Sequence, residues 1–226
     1  MDGRPHRIVA VGEVLFDCFP DGERLGGAPL NFAYHLHRLG QPVALCSRVG
    51  DDERGRRIRA ALEQAGMATE GLQVDPDHPT GWVSVALDGA GGHSFTIHCD
   101  VAYDHLEAAA VARLAGAPGV ALYYFGTLAC RTPRGRAAVL GGAAACRGRR
   151  LLDVNLRPGC WDRGQVVACL EAATVAKLNH EEVATLAPLL GLPEAEGAAA
   201  EGLRRRFDLE AVVVTRGAAG AAWYHG

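Results

Sequence analysis

No cysteine in this chain stands in a C-x-x-C pair, and the seven (at 18, 46, 99, 130, 146, 160 and 169) show no regular spacing. That excludes the common structural zinc modules, and an odd count argues against a disulfide framework. With residues 1–7 short and polar rather than a signal peptide, the thiols are expected to be reduced, in a cytoplasmic protein. His93, His98 and Cys99 crowd together, but their spacing fits no zinc pattern. Long apolar runs are missing, so no membrane partner is expected. Charge of one sign is missing too: the net charge is −3, which gives no reason to expect nucleic acid or an anionic membrane as a partner. There is no internal repeat, and the one low-complexity linker candidate is the Ala/Gly-rich segment 197–202. Nor does any G-x-G-x-x-G follow the first strand candidate, which disfavours a dinucleotide-dependent dehydrogenase.

What is present is a chain of 226 residues, 49% hydrophobic with 29 glycines. That is enough for one α/β domain, expected to span 1–226, with a sizeable core. The apolar run 7–11 reads as a first, buried strand and 119–125 as another apolar strand, and 43–49, 149–153, 174–177 and 209–214 read as further strands. Helical stripes lie between them. Residues 54–65 carry Ile58, Ala61, Leu62 and Ala65 on one face and stop at Gly66, with Asp51, Asp52 and Glu53 as acidic caps. Residues 132–146 open with Thr132 as N-cap and Pro133 as the first helical residue. Strand alternating with helix predicts a parallel sheet with right-handed crossovers. One segment breaks the pattern: 80–87 and 93–98 alternate apolar and polar residues around the turn 88–92, which predicts an inserted hairpin. With the strand near 15–20 it would form a small sheet, its strands near 14–25 and 80–100, over a glycine pair.

That pair, Gly26-Gly27, leads into Ala28-Pro29-Leu30-Asn31 and organises the rest. Two glycines allow a sharp turn and a close approach to a bound group. A helix opening here, with Leu30, Ala33, Tyr34, Leu36 and Leu39 as its apolar stripe and Gly40 as its end, offers free N–H groups and a positive dipole end. Asn31 lies in its first turn, within reach of a ligand on the glycine backbone. An ordinary glycine turn before a helix explains the same residues.

The run Gly-Gly-Ala-Pro-Leu-Asn, then Leu39-Gly40, then Arg48-Val49-Gly50-Asp51-Asp52 and Gly55, resembles the N-terminal signature of the ribokinase-like (PfkB) sugar kinases, with the fructokinase branch most similar. Later stretches fit the same family in the same order. Asp153-x-Asn155-x-Arg157-Pro158 with Trp161 is similar to the fructokinase-like branch, and Asn179-x-x-Glu182 to the family's N-x-x-E element. Thr215-x-Gly217-x-x-Gly220 resembles its T-x-G-x-x-G turn at the ATP. The resemblance implies a ribokinase-like parallel sheet with helices on both faces and a small β-sheet lid that covers the sugar and pairs with the lid of a second subunit, giving a homodimer. It implies ATP and Mg²⁺ as cofactors and phosphate transfer to a primary hydroxyl of a sugar, fructose first, with 2-keto-3-deoxygluconate and ribose as rivals. Asp17, Gly26, Gly27, Asn31, Thr127, Asp153 and Asn155 are then expected around the sugar. Arg157 is expected on the catalytic side, where its planar fork suits phosphate oxygens or sugar hydroxyls. Asn179, Glu182, Thr215, Gly217 and Gly220 are expected around ATP, with Glu182 organising Mg²⁺ through water. Plainer readings stand beside several of these: Asp17 as a cap of the turn near Asp21-Gly22, Asp153 and Arg157 as a loop ion pair, and Asn179 with Glu182 as an N-cap and its capping-box partner.

The family's G-A-G-D stretch, whose amides cradle the moving phosphate and whose Asp takes the hydroxyl proton, does not follow Gly220. Beyond Glu182 the one aspartate is Asp208, which precedes a strand candidate. The chain as written is therefore expected to be inactive as a kinase. A shortened chain, an interrupted gene and a natural non-catalytic, sugar-binding or dimerising relative are the three explanations left open.

Overall fold

A computed structural model describes residues 7–87 and 93–226. The turn read at 88–92 lies outside the described residues. In chain order the strands and helices are β1 (Arg7–Val11), β2 (Leu15–Phe19), β3 (Gly22–Gly26), α1 (Ala28–Arg38), β4 (Val43–Gly50), α2 (Glu53–Gln64), β5 (Leu72–Asp75), β6 (Gly81–Leu87), β7 (His93–Ile97) and α3 (Ala108–Ala115). They continue with β8 (Val120–Gly126), α4 (Pro133–Ala145), β9 (Arg149–Asp153), α5 (Arg163–Ala172), β10 (Val175–Asn179), α6 (His180–Leu189), α7 (Glu196–Arg206), β11 (Ala211–Thr215) and β12 (Ala221–His225).

Eight strands form one sheet in the order β12-β11-β10-β9-β8-β1-β4-β5, parallel except for the β11–β12 pair. Alternation along β1 shows how both faces are filled. Val9 and Val11 enter a large core under α3–α7, while Ala10 points to a second core under α1 and α2. The four remaining strands make a separate sheet, β3-β2-β6-β7. Both ends of its β6–β7 hairpin are pinned to the main body. At the entrance Asp52, the N-cap of α2, accepts from Thr80 N (2.7 Å) and Thr80 Oγ1 (2.6 Å). At the exit Arg131 donates to His98 O (2.7 Å) and forms a buried two-point pair with Asp104 at 2.8 and 2.7 Å.

Two expectations change. Tyr34 and Leu39 are not part of the buried stripe of α1: they are 40% and 73% exposed, and the helix buries only Pro29, Leu30 and Ala33. The helix covers the sheet with its N-terminal half, and Phe32 stacks on Tyr124 at 3.9 Å. The segment 197–202, read as a low-complexity linker candidate, is helical in α7. Ala199, Ala200 and Leu203 are buried there, since small side chains let the helix lie close on the sheet. Away from α5–α7, the same end of the sheet presents Leu151, Val175, Val213 and Trp223 to an open hollow of about 580 Å³, with Trp223 62% exposed.

Candidate functional site

The winding of the sheet places the site. From β1 the strands run outward to β4 and β5, and from β8 they run outward to β9–β12, so the direction reverses between β1 and β8. Loops beyond the C-terminal ends of strands part at such a switch point and leave a crevice. A cleft of about 360 Å³ opens there. Asp17, Asn31, Asn155 and Arg157 supply polar groups to its lining, and Val83, Phe95 and Ile97 reach it from the small sheet. Four separate elements of sequence thus meet at one opening. Among the described residues, none of the four polar side chains has a hydrogen-bond partner.

Local rules explain how each is held. Gly27 is the N-cap of α1 with φ +114°, a conformation that L side chains rarely adopt, and a Cβ there would stand 2.4 Å from Glu13 O. That contact lets the turn lie directly against the end of β1. At Gly26 an added Cβ would come within 2.7 Å of Asp17 Oδ2, so the missing side chain makes room for the carboxylate of β2. Burial raises the carboxyl pKa of Asp17, and the charge of Arg157 works against that rise. Asn31 follows in the first turn of α1, its N–H donating to Gly27 O at 3.0 Å. Asn155 has φ +40°, a left-handed turn that Asn tolerates, and the chain beyond β9 bends there before Arg157.

Other expected site residues are committed elsewhere. Thr127 is buried; its hydroxyl donates to Val154 O at 2.7 Å and its carbonyl accepts from Gln165 Nε2 at 2.7 Å. Asp153 accepts from Tyr124 OH and from Lys177 Nζ, each at 3.0 Å, so its ion pair is with Lys177 and not with Arg157. Asn179 and Glu182 form a reciprocal capping box at the start of α6, 2.8 Å in each direction. The second oxygen of Glu182 accepts from Leu156 N at 2.8 Å. Glu182 is 6% exposed, and burial raises its carboxyl pKa despite those donors. It borders a hollow of about 520 Å³ with Asn179, Glu181 and Thr185. Each of its oxygens accepts one backbone N–H and keeps lone-pair capacity, so these residues fit a hydrated cation met through water. Farther along, the Thr215 hydroxyl points to Leu178 O at 3.4 Å. Gly217 and Gly220 turn the chain with φ +57° and +83°, but the N–H groups of Arg216, Ala219 and Gly220 donate within that turn.

One member of the cleft was not singled out from sequence. Glu13 also lines it, 3% exposed, with Oε1 accepting from Ala28 N at 3.3 Å and Oε2 buried without a partner. The available signal was a lone acid inside the apolar run 9–16. Outside the cleft, His78, Asp100 and His105 bring three metal-ligand atoms together. The two imidazoles stack 3.5 Å apart at 15°, however, so their lone pairs run side by side instead of converging on an ion. His98 stacks on Trp82 and bonds Ser84 Oγ at 2.8 Å.

A mostly parallel sheet wrapped by helices, with a small second sheet at a switch-point cleft, defines a ribokinase-like α/β protein. The chain belongs to the pfkB family of carbohydrate kinases, whose model matches residues 6–226. It is 30% identical over 225 residues to a fructokinase from Salmonella typhimurium, covering 95% of this chain and 72% of that one. Apo fructokinase from Vibrio cholerae O395 is similar in structure with a TM-score of 0.81 at 28% identity, over 97% of this chain and 78% of the other. The same enzyme with fructose, ADP and a calcium ion bound gives 0.80 at 26% identity, over 97% and 73%.

Proposed function

We propose that this chain carries the sugar site of an ATP-dependent kinase that phosphorylates a primary hydroxyl, with fructose as the first substrate. The observation that carries this reading is the set of uncommitted polar side chains, Asp17, Asn31, Asn155 and Arg157, gathered around the Gly26-Gly27 turn in one cleft. A carboxylate, two amides and a guanidinium match the donors and acceptors of a polyol. Fructose and ADP in the similar Vibrio cholerae structure support both substrates. The small sheet would exclude water from the reacting hydroxyl. Mg²⁺ would neutralise charge on the phosphates, with Glu182 meeting it through water. Seven unpaired thiols agree with a reducing, cytoplasmic location. Titration calorimetry with fructose, ribose and 2-keto-3-deoxygluconate tests the reading: fructose should bind most tightly, and no binding of any of the three defeats it.

Edge strands β3 and β7 of the small sheet offer a dimer surface, and sedimentation equilibrium showing only monomer at micromolar concentration would remove it.

A further inference from the structure

We propose that Glu13 is a substrate-contacting residue of this cleft: one carboxyl oxygen ties the Gly26–Ala28 turn to the end of β1, and the other pairs with a hydroxyl of the bound sugar. This rests on the reading of the cleft as a sugar site. Three observations carry it. Glu13 lines the cleft, at the switch point, beside Asp17, Asn31 and Arg157. Its Oε1 holds Ala28 N at 3.3 Å, while its backbone carbonyl lies where only a glycine at 27 fits. Its Oε2 is buried with no hydrogen-bond partner among the described residues, in a residue 97% withdrawn from solvent. A buried carboxyl oxygen without a partner is costly, and a hydroxyl that both donates and accepts satisfies it in either protonation state.

The surroundings set which state prevails. Burial pushes the Glu13 carboxyl up to about 7, with Arg157 opposing and Asp153 adding to the rise. From the same cleft Asp17 adds another carboxylate. Behind Glu13, Tyr124 on β8, Tyr103 after β7 and Cys130 before α4 all have their pKa values raised by burial or hydrogen bonding, so they stay neutral near pH 7. Oε2 is already enclosed in the free protein, so a bound sugar adds a hydroxyl partner rather than further burial, and that partner serves the neutral acid and the carboxylate alike.

The experiment is calorimetric titration of fructose into the whole chain and into Glu13→Gln and Glu13→Ala at pH 6, with thermal unfolding of each variant as a control. Glu13→Gln keeps an acceptor for Ala28 N and a donor for the sugar, so its affinity should stay within about three-fold of the parent's. Glu13→Ala should bind about ten-fold more weakly at pH 6. Unchanged affinity in a folded Glu13→Ala, or an equal loss in Glu13→Gln and Glu13→Ala, overturns the role of Glu13 and leaves the cleft assignment standing. Absence of fructose binding by the parent chain overturns the cleft assignment, and the role of Glu13 with it.

Discussion

The two sides of the crevice treat their polar groups differently. Around the Gly26-Gly27 turn, Asp17, Asn31, Asn155 and Arg157 face a cleft and make no hydrogen bonds within the described protein. Along the ends of β9–β11, Asp153, Asn179, Glu182 and Thr215 are hydrogen-bonded to neighbours in the fold. Motif resemblance marked both sides equally. Geometry separates them: uncommitted polar groups in a cleft await a ligand, whereas groups already paired stabilise the chain that carries them. Loss of an uncommitted group should therefore cost binding, and loss of a committed one should cost stability.

The largest expected effect concerns turnover. The chain of 226 residues should release ADP from ATP and fructose at least ~10²-fold more slowly than the same chain continued through the C-terminal region of the Salmonella fructokinase. General base catalysis contributes ~10²–10⁴-fold and one anion-stabilising donor about 10²–10³-fold, although groups acting as a unit do not multiply in full. A coupled ADP-release assay on the two proteins decides. Equal kcat would mean that Arg157 or another residue of the cleft supplies chemistry assigned to the absent stretch, and the distinction between the two sides would lose its catalytic meaning.

Next comes Gly27→Ala. At φ +114° and 2.4 Å from Glu13 O, the added methyl must move either the turn or the end of β1. Strain of this kind costs ~1–3 kcal/mol before any steric repulsion is added. For a domain of this size that lowers Tm by about 2–12 °C, and fructose affinity should fall alongside it. An unchanged melting curve would show that the turn is free to move, against its placement as the fixed centre of the cleft.

Asp17→Ala and Asn31→Ala sharpen the comparison at a smaller scale. Each removes one partner of a ligand hydrogen bond, worth ~1–3 kcal/mol, which is about 5- to 150-fold in fructose affinity. Neither has an internal side-chain hydrogen bond to lose, so thermal stability should hold. A drop in Tm with unaltered affinity in both variants reverses the assignment.

How much of this could be read from the chain depends on the kind of signal. β1, β4, β8 and β11 follow apolar runs, β9 and β10 follow shorter apolar pairs between polar residues, and α2 and α4 carry caps and stops within a residue of where they occur. α7 was hidden because Ala and Gly give no apolar stripe, although small residues are what close packing on a sheet requires. At the site, Asp17, Asn31, Asn155 and Arg157 sit in motifs and were legible. Glu13 was not, because a lone acid beside a glycine has no spacing to match, and its meaning comes from Ala28 fifteen residues on. Thr127 is the opposite case. Its place at the end of β8 is right for a ligand, but β9 and α5 come close enough to take both its hydroxyl and its carbonyl.

The smallest effect tests the committed side. Glu182→Gln keeps one acceptor but turns an NH₂ group toward a backbone N–H, either Asn179 or Leu156, where the carboxylate accepted from both. Losing one such bond at a helix start costs about 1 kcal/mol, a shift of roughly 2–4 °C in Tm. Its pH dependence has a definite sign. Burial holds the folded pKa of Glu182 above the reference value of 4.5, so the native state binds the proton more tightly than the unfolded chain. The contribution of Glu182 to stability is then full below about pH 4.5 and declines as pH rises through the folded value. Gln does not titrate. The stability of Glu182→Gln relative to the parent should therefore rise from pH 4 to pH 8, a difference that urea midpoints at the two pH values will read. Fructose affinity, in the cleft across the crevice, should not change. If instead Glu182→Gln leaves the urea midpoints alone and weakens Mg²⁺-dependent nucleotide binding, then Glu182 is a ligand first and a cap second, and the division between the two sides fails at its most strongly bonded residue.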